Sequence, residues 1–445
     1  MKKAISVCLL VLLLLSLLAI LFAKLVVVER DHAAAQVISS LAICIAWISL
    51  VFIIPIRAIR WFMLLTPLIA SLLILGLYRL QLDGELGFTL SPRWARPSLP
   101  EVTSGNPATL ELGLDRSDDW PGFWGKERNG VIDSIQLQPD WEKFPPKLVW
   151  KQPIGEGWSS FAIRGELAVT MEQRESEEWI TAYNVNDGKL VWKQALPGRH
   201  ASILGGVGPR STPVIAGDSV VACSAIDSVV CLELLTGSMI WQSSLSTIGG
   251  FTQSDFETCV SWGRSGSPLA TTSSHGNMVI VPMGGSNLQK NTLVALRLDN
   301  GQEAWRSGTD QISYSSPCLV NLHGIAQILY VSEQNLISVD PDTGEQLWNA
   351  PWSSSSAGDA NTSQPVVIDN NRILITKGYQ RGAKLLEVLF ENGAWTISDV
   401  WVNETVLKTK FTSALHYQGY LYGLSDGILE CVSLADGKSV WKKGR

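Results

Sequence analysis

The sequence predicts an all-β protein built from repeated four-stranded sheets, preceded by a short helical segment. The first observation behind this prediction is a glycine-to-tryptophan motif, in which a turn glycine is followed four residues later by tryptophan. It occurs in DGKLVW, TGSMIW, NGQEAW, TGEQLW and DGKSVW. The second is that short apolar runs separated by turn residues fill the sequence between these motifs. A unit that recurs with drift indicates a repeat architecture.

The motif marks the last turn and the last strand of each unit. Asp, Asn or Thr before glycine favours a tight turn in which glycine takes a positive φ. The tryptophan ring is expected to fill the wedge between neighbouring units. The turn glycines are Gly188, Gly237, Gly301, Gly344 and Gly437. The docking tryptophans are Trp150, Trp192, Trp241, Trp305, Trp348, Trp401 and Trp441, where Trp401 follows a degenerate turn and Trp150 lies in an earlier run, LVWKQPI.

Residues 211–241 show the strands of one unit. The first strand starts at Pro213, the second and third span Ser219–Ser224 and Ser228–Leu234, and the fourth carries Trp241. Similar openings recur as GSPLA, SSPCL, SQPVV and TSALH. Four strands in every ~40–50 residues is the spacing of a β-propeller blade. A propeller is therefore predicted over residues 118–445.

A small residue stands six positions before each turn glycine, where it can accommodate the large tryptophan. The five are Ala182, Cys231, Ala295, Ser338 and Cys431. Cys231 and Cys431 are therefore interpreted as core residues rather than metal or redox groups. A strained disulfide between Cys223 and Cys231 is a second, less favoured reading.

The first 80 residues are predicted to be a membrane anchor. Three apolar stretches, at about 4–23, 37–56 and 61–78, are each near the length of a membrane-crossing helix. A cleaved signal peptide is the alternative for the first stretch. Lys2, Lys3, Arg57 and Arg60 flank the stretches and belong on the cytoplasmic side, so the propeller is expected outside the cytoplasm.

Residues 81–117 contain several prolines and few apolar runs, and are predicted to be an extracytoplasmic linker. The net charge of the chain is −6, which gives no basic field for nucleic acid.

With these motifs the chain resembles the PQQ-like β-propeller repeat proteins over about residues 117–445. That family includes quinoprotein alcohol dehydrogenases and BamB-type outer-membrane assembly factors. The stretches DDWPGFWGKERNG, GPRSTP, WGRSGSP and YSSP look like a narrower group, the membrane-anchored BamB-like propellers of planctomycete-type bacteria. Seven closing strands can be counted against six sets of inner strands, so a seventh set is expected and the ring is predicted to be incomplete at its carboxyl end.

The resemblance implies that a quinone-dependent dehydrogenase would need a calcium ion on acidic and amide oxygens, a catalytic Asp and often a vicinal Cys-Cys pair. The sequence has no Cys-Cys, and no Asp or calcium-ligand set matches such a motif. The five histidines show no metal-ligand spacing. No catalytic, cofactor-binding or metal residue is therefore predicted, and neither is PQQ with calcium.

One group of residues is a candidate ligand site. Arg210, Arg264 and Lys410 each precede the first strand of a blade, and first strands line the channel of a propeller. The loops could form a cationic mouth flanked by Trp262 and His200; the alternative is that each charge is satisfied locally.

The aromatic stretch WPGFW at 120–124 also has two readings, a partner-binding patch or, preferably, a plug packed against the propeller.

The sequence is thus expected to encode a membrane-anchored, extracytoplasmic propeller that binds a protein partner in the envelope without catalysis. A PQQ-dependent oxidoreductase and a glycan- or cell-wall-binding module are the alternatives.

Overall fold

The computed structural model describes residues 2–23, 32–53, 57–82, 88–94, 110, 112, 119–132, 134–202, 205–252, 254–255, 260–285 and 290–443. Two compact units are present, residues 1–98 with 203–206, and the remainder of the chain.

The amino-terminal unit contains three helices, α1 (Lys2–Phe22), α2 (His32–Ile53) and α3 (Arg57–Leu77). They coincide with the three predicted apolar stretches. Across the described part of the chain, no helix is both long enough and apolar enough to cross a membrane. The helices are therefore present, while their predicted crossing of a membrane is not supported.

The predicted linker is structured at both ends. Strands β1 (Tyr78–Leu82) and β2 (Phe88–Pro92) form an antiparallel hairpin. Leu110 and Leu112 pack against the core of the first propeller sheet. These positions of the predicted linker at 81–117 are therefore held by strand pairing or by apolar packing. Most of its other residues lie outside the described part, and the linker stays a prediction.

The second unit contains six antiparallel four-stranded sheets, which we call blades 1 to 6. Blade 1 is β3 (Ala162–Arg164), β4 (Leu167–Arg174), β5 (Glu177–Asn184) and β6 (Leu190–Pro197). The two-residue strands β7 (Ala201–Ser202) and β8 (Gly206–Val207) follow. Blade 2 is β9 (Val214–Ala216), β10 (Ser219–Cys223), β11 (Ser228–Glu233) and β12 (Met239–Ser244), followed by helix α4 (Leu245–Gly249).

Blades 3 to 6 repeat this order. Blade 3 is β13 (Leu269–Ser273), β14 (Gly276–Gly285), β15 (Lys290–Arg297) and β16 (Glu303–Ser307). Blade 4 is β17 (Cys318–Leu322), β18 (Ile325–Val331), β19 (Asn335–Val339) and β20 (Gln346–Pro351). Blade 5 is β21 (Val366–Val367), β22 (Arg372–Lys377), β23 (Gly382–Glu391) and β24 (Ala394–Asn403). Blade 6 is β25 (Leu415–Tyr417), β26 (Tyr420–Ser425), β27 (Ile428–Ser433) and β28 (Ser439–Lys443).

The first strands of neighbouring blades lie together. Strand β9 contacts both β3 and β13, and β13 contacts β17. The first strands therefore surround the axis, as in a propeller. The core lies between blades: Val169 and Ile180 of blade 1, for example, share one apolar cluster with Val220 and Val230 of blade 2.

The tryptophan of one blade docks on the turn glycine of the next. A Cβ added to Gly237 would lie 2.5 Å from the indole of Trp192. The indole Nε1–H donates to the carbonyl of Leu234, three residues before that glycine, at 2.8 Å. The same pair of contacts recurs for Trp150 on Gly188, Trp241 on Gly301, Trp305 on Gly344 and Trp401 on Gly437. All five glycines have φ between 66° and 74°.

The small residues lie directly opposite the tryptophans of their own blades. Ala182 pairs with Trp192, and a β-bulge follows at once. The equivalent pairs are Cys231 with Trp241, Ala295 with Trp305, Ser338 with Trp348 and Cys431 with Trp441. A small side chain opposite the ring leaves the indole free to lean onto the next blade.

Blade 5 departs from the motif. Its third and fourth strands are ten residues long and are joined at Asn392 and Gly393, both with positive φ. Trp348 of blade 4 therefore has no glycine turn at the usual place. Its Nε1–H instead donates to the side-chain oxygen of Gln327 in its own blade, at 2.8 Å.

Two of the predicted closing tryptophans differ from the prediction. Residues 148–154 form no strand, and Leu148 and Val149 are 81% and 78% exposed. Trp441 stays 36% exposed on β28, whereas Trp192 is 6% exposed. Both differences have one cause: no seventh set of inner strands is present in the described chain to pair with the first segment or to cover the second.

Replacing Gly237 with Ala tests the docking contact. The added Cβ meets the Trp192 ring and also strains a backbone at φ 70°. We expect a loss of about 3 kcal/mol in the free energy of unfolding, measured by urea denaturation. Gly217→Ala is the control, because Gly217 has φ 56° but nothing within 4 Å of its added Cβ. The control should lose about 1 kcal/mol from strain alone; equal losses would contradict the docking role.

Candidate binding face beside the axial plug

A segment that precedes the blades, residues 119–130, packs along the axis, and we call it the plug. Trp120 and Ile163 of blade 1 exchange backbone hydrogen bonds of 3.0 and 2.7 Å. The Ile215 amide of blade 2 donates to the Pro121 carbonyl at 2.7 Å. At the other end, a Cβ on Gly130 would lie 3.1 Å from Leu415 of blade 6. The geometry matches the plug reading of the WPGFW stretch.

Arg128 joins the plug to blades 3 and 4. Its side chain is buried, and its Nη1–H donates to the carbonyls of Pro317 at 2.8 Å and Ser267 at 3.4 Å. Its other terminal nitrogen donates to the carbonyl of Pro268. Burial lowers the pKa of this guanidinium to about 10. Carbonyl oxygens at the starts of two first strands thus hold a positive charge at the axis.

A relay of hydrogen bonds joins the blades just outside the plug. One polar residue before each first strand donates its backbone N–H to the side chain of its counterpart in the next blade. The steps run from Ser160 to Thr212, from Thr212 to Ser267, from Ser267 to Ser316, from Ser316 to Gln364 and from Gln364 to Ser413, with distances of 2.9–3.2 Å. Each of these polar side chains therefore accepts a hydrogen bond from the neighbouring blade. Together these hydrogen bonds fix the rotation of successive blades about the axis.

The outward face of blade 6 is exposed, whereas the equivalent face of blade 1 is buried. In blade 1, Met171 and Ile180 are register partners and are at most 2% exposed, because blade 2 covers them. In blade 6 the equivalent partners, Leu424 and Leu429, are 39% and 42% exposed. We call this surface, with Tyr422 and Trp441, the open face.

An open pocket of about 390 Å³ lies where the open face meets the plug. It is lined by Phe123 and Trp124 of the plug, by Leu415, Tyr422, Gly423, Leu424 and Leu429 of blade 6, and by Thr362, Phe411, Thr412 and Ser413. An apolar pocket beside an exposed sheet face is a surface suited to another polypeptide.

The three cations of the predicted mouth have different surroundings in the structure. Arg264 is 1% exposed and donates to the carbonyls of Pro282 and Met283, the latter at 3.0 Å. Its guanidinium is therefore enclosed by backbone carbonyls of blade 3 and not exposed to solvent. Arg210 donates to the Gly208 carbonyl at 2.7 Å, and burial lowers its pKa to about 10. The ammonium nitrogen Nζ of Lys410 lies 5.4 Å from the centre of the Tyr379 ring.

The two residues predicted to flank the mouth, His200 and Trp262, both lie next to Gly263. A Cβ on Gly263 would lie 2.7 Å from the His200 ring. The Trp262 amide donates to the Tyr314 hydroxyl at 3.0 Å, which in turn donates to the Ser356 carbonyl at 2.8 Å. His200 and Trp262 therefore help to hold together loops that belong to different blades.

At the axis the plug places the guanidinium of Arg128 among backbone carbonyls of blades 3 and 4. Among the residues that the structure describes, no group of three or more His, Cys, Asp or Glu is placed to hold a metal ion. Cys223 and Cys231 are free thiols, and Cys223 pairs in register with Val229 rather than Cys231, so the alternative disulfide is not formed.

The sequence and the fold agree with a family comparison. The family model described as outer membrane protein assembly factor BamB matches residues 140–260 and 176–443. The chain belongs to this family. No curated protein matches the sequence. The narrower planctomycete-type resemblance stays a prediction.

Solved structures with a similar fold include a BamB and several dehydrogenases. BamB from Moraxella catarrhalis is 16% identical, with 64% of this chain and 72% of that chain covered and a TM-score of 0.41. A europium-containing methanol dehydrogenase is 13% identical, with coverages of 69% and 74% and a TM-score of 0.47. Quinohemoprotein alcohol dehydrogenase from Comamonas testosteroni is 12% identical, with coverages of 73% and 49% and a TM-score of 0.42. Similarity at this level says nothing about activity.

Several important residues were missed by the sequence reasoning. The relay had a visible signal, because Thr212, Ser267, Ser316 and Gln364 each stand directly before a proline at the opening of a blade. Arg128 had none, since its partners are 139 to 189 residues away in the chain. Glu178 is a further buried group: both carboxylate oxygens accept from the Ala225 amide of blade 2, at 3.0 and 3.2 Å.

Glu178 gives the propeller a predictable pH dependence. Burial raises the pKa of this carboxyl to about 7, against the opposing effects of the Ala225 amide and Arg210. The unfolded chain releases this proton near pH 4.5 and the folded chain near pH 7. This group therefore stabilises the fold less as pH rises between those values, by at most about 3 kcal/mol.

Replacing Glu178 with Gln should remove that component. Relative to wild type, the variant should gain unfolding free energy between pH 4.5 and 7.5, measured by urea denaturation across that range. The exposed neighbour Glu177→Gln controls for the loss of one negative charge. A difference between wild type and Glu178→Gln that does not change with pH would contradict the assignment.

Proposed function

We propose that this protein is a non-catalytic scaffold that binds a partner protein through the open face of blade 6, on the extracytoplasmic side of the membrane. The observation that carries the proposal is the exposure of Leu424 and Leu429, whose equivalents Met171 and Ile180 are buried by a neighbouring blade. Covering a face of this kind stabilises association by roughly 25 cal/mol per Å² of apolar surface removed from water.

Two further observations support protein binding. The pocket at the inner end of the open face contains the aromatic rings of Phe123, Trp124, Phe411 and Tyr422. Aromatic side chains in a partly desolvated pocket are typical of the centre of a protein interface. The family description, an assembly factor of the outer membrane, is in keeping with a role in holding other proteins together.

Replacing Leu429 with Asp tests this function. A bound partner would have to remove water from the new carboxylate, which is unfavourable. We therefore expect the amount of partner recovered with the chain to fall at least tenfold. The measurement is chemical cross-linking in the native cells, purification of the tagged full-length chain and quantitative mass spectrometry. Leu319→Asp is the matched control, since Leu319 on blade 4 is 41% exposed and Leu429 is 42% exposed.

A partner that is retained by Leu429→Asp and Leu319→Asp alike would place binding elsewhere. Dye-linked alcohol oxidation by the purified chain with PQQ and calcium would instead support the oxidoreductase alternative.

The extracytoplasmic location and the membrane anchor are proposed from the sequence, with support from the uncharged stretch at 4–23 and the basic residues Lys2, Lys3, Arg57 and Arg60. Large apolar side chains on α1, such as Leu14 and Leu18, are more than half exposed.

The location can be tested with reporters fused after Arg445. Alkaline phosphatase, which folds only outside the cytoplasm, should be active, and a reporter that works only in the cytoplasm should be silent. The opposite pattern would contradict the location. Release of the full-length chain by alkaline carbonate would contradict the anchor, whatever the reporters show.

A further inference from the structure

Of the joints between consecutive blades in the described chain, only that between blades 4 and 5 has no indole ring docked on a turn glycine. Trp348 of blade 4 instead shares one apolar cluster with Leu386 and Val388 of blade 5. Leu386 and Val388 lie on the long hairpin of β23 and β24, which we call the blade 5 hairpin. The blade 5 hairpin therefore covers the ring that a glycine turn covers at the other joints.

The blade 5 hairpin is fixed to blade 4 through His323. The Nε2–H of His323 donates to the Val388 carbonyl at 2.7 Å, and its backbone amide donates to the side-chain oxygen of Asn370 at 2.8 Å. The Trp395 ring meets the His323 ring edge-on at 6.1 Å between centres and lies 4.5 Å from the centre of the Phe390 ring. Phe390 and Trp395 are register partners near the tip of the hairpin, so the joint depends on their pairing.

The tip of the blade 5 hairpin is the dipeptide Asn392-Gly393. The two residues have φ values of 52° and 78°, as in the two-residue turns that favour Asn-Gly. Asn-Gly is also the dipeptide that loses its side-chain amide most readily, because glycine has no side chain to obstruct attack by its backbone nitrogen. The tip therefore combines a favoured turn with a reactive bond.

The reaction needs only water. The backbone nitrogen of glycine bonds to Cγ of asparagine, the bond from Cγ to the side-chain nitrogen breaks, and that nitrogen leaves as ammonia with the proton of the attacking amide. Water then opens the resulting five-membered succinimide to aspartate or, more often, to isoaspartate. In isoaspartate the main chain runs through the former side chain and is one carbon longer.

The Asn-Gly pair at 129–130 is restrained by the plug. The Gly130 amide, which would attack, donates to the Trp124 carbonyl at 3.0 Å. The side-chain oxygen of Asn129, on the group that would be attacked, accepts from the Val131 amide at 2.9 Å. Both partners of the reaction are therefore held in place.

The pair at 300–301 is restrained in the same way. The Gly301 amide donates to the Arg297 carbonyl at 2.9 Å, and the Asn300 side-chain oxygen accepts from the Gln302 amide at 2.9 Å. The docked ring of Trp241 also lies 2.6 Å from a would-be Cβ on this glycine. Rotation of the main chain here would undo a docking contact.

Asn392-Gly393 has none of these restraints. Both residues are exposed, and within the described chain neither the Asn392 side chain nor the Gly393 amide makes a hydrogen bond. Nothing lies within 4 Å of a Cβ added to Gly393. The rotation that brings the glycine nitrogen to Cγ opens only the last pair of the hairpin, Glu391 with Ala394. Such local opening at the end of an element costs little free energy.

We propose that Asn392 is a modification site, at which the side-chain amide is converted through the succinimide to isoaspartate. The conversion places a negative charge beside Glu391 and adds a carbon to the main chain of a two-residue turn. The longer turn no longer fits the pairing of Phe390 with Trp395. The contacts that fix the blade 5 hairpin to His323 therefore weaken, and the joint between blades 4 and 5 loosens.

The test follows the three Asn-Gly pairs in one sample of the full-length chain. The folded protein is kept in mildly alkaline buffer, because loss of the amide proton speeds the attack. Trypsin then places the pairs on separate peptides, 129–143, 298–306 and 385–408. Mass spectrometry measures the change from amide to acid in each peptide. A protease that cleaves before aspartate but not before isoaspartate distinguishes the two products.

Residue 392 should be converted at least tenfold faster than residues 129 and 300, because only its turn opens without loss of other contacts. Each rate is divided by the rate in the same chain unfolded in urea, which removes the effect of neighbouring residues. Similar normalised rates at the three positions, or no conversion at residue 392, would overturn the modification site.

The variant Asn392→Gly separates this modification from other changes during storage. A Gly-Gly turn keeps the turn type and has no amide to lose. The Tm of the wild type should fall as isoaspartate accumulates, and hydrogen exchange of the β24 amides should become faster. Asn392→Gly stored in the same way should change in neither respect. Asn392→Asp, measured fresh, controls for the added charge and should keep the wild-type Tm.

The two parts of the proposal can fail separately. Isoaspartate at residue 392 with unchanged Tm and hydrogen exchange would overturn the loosening of the joint. An equal fall in Tm in stored Asn392→Gly would also overturn it, since the cause would then lie at another residue.

Discussion

The contact between an indole ring and the turn glycine of the next blade is the interaction on which the propeller depends. A four-stranded sheet cannot bury both faces by itself, so every blade needs a neighbour. The indole supplies a large apolar surface, and its single N–H finds a carbonyl at a fixed place, three residues before the glycine. Only a residue without a side chain leaves room for the ring at 2.5–2.7 Å from a would-be Cβ.

This contact has a direction, because in each of the five docked pairs the ring comes from the preceding segment and the glycine from the following blade. Blade 1 receives its ring from Trp150, a residue that belongs to no described strand. Blade 6 gives its ring to nothing in the described chain. Within the described chain, blade 1 therefore receives a ring at its turn glycine, whereas the ring of Trp441 on blade 6 stays 36% exposed.

The repeat could be predicted from the sequence because its rules are local. A glycine turn, a strand and a small residue opposite tryptophan all lie within ~10 residues of one another, and the pairing of Ala182 with Trp192 follows them. Blade 5 escapes these rules because Leu385 stands opposite Trp401 and the turn has moved to Asn392 and Gly393. In blade 4 the side-chain oxygen of Gln327 therefore replaces the missing carbonyl as the acceptor for Trp348.

The site was less predictable because its contacts are distant in the chain. The position of Arg264 before a first strand could not show that backbone carbonyls of the same blade would enclose the guanidinium. Burial of Glu178 depends on the neighbouring blade, whose Ala225 amide approaches it across 47 residues of sequence. Charge counting along a chain cannot distinguish an enclosed cation from one that faces solvent.

The plug precedes every blade in the chain, yet its arginine contacts residues 139 to 189 positions later. Those contacts close very large loops, and such closure is slow compared with the formation of a single hairpin. Because Arg128 is synthesised before Ser267 and Pro317, its carbonyl partners exist only after blades 3 and 4 have been made. Burial of this guanidinium can therefore be completed only after those two blades are synthesised.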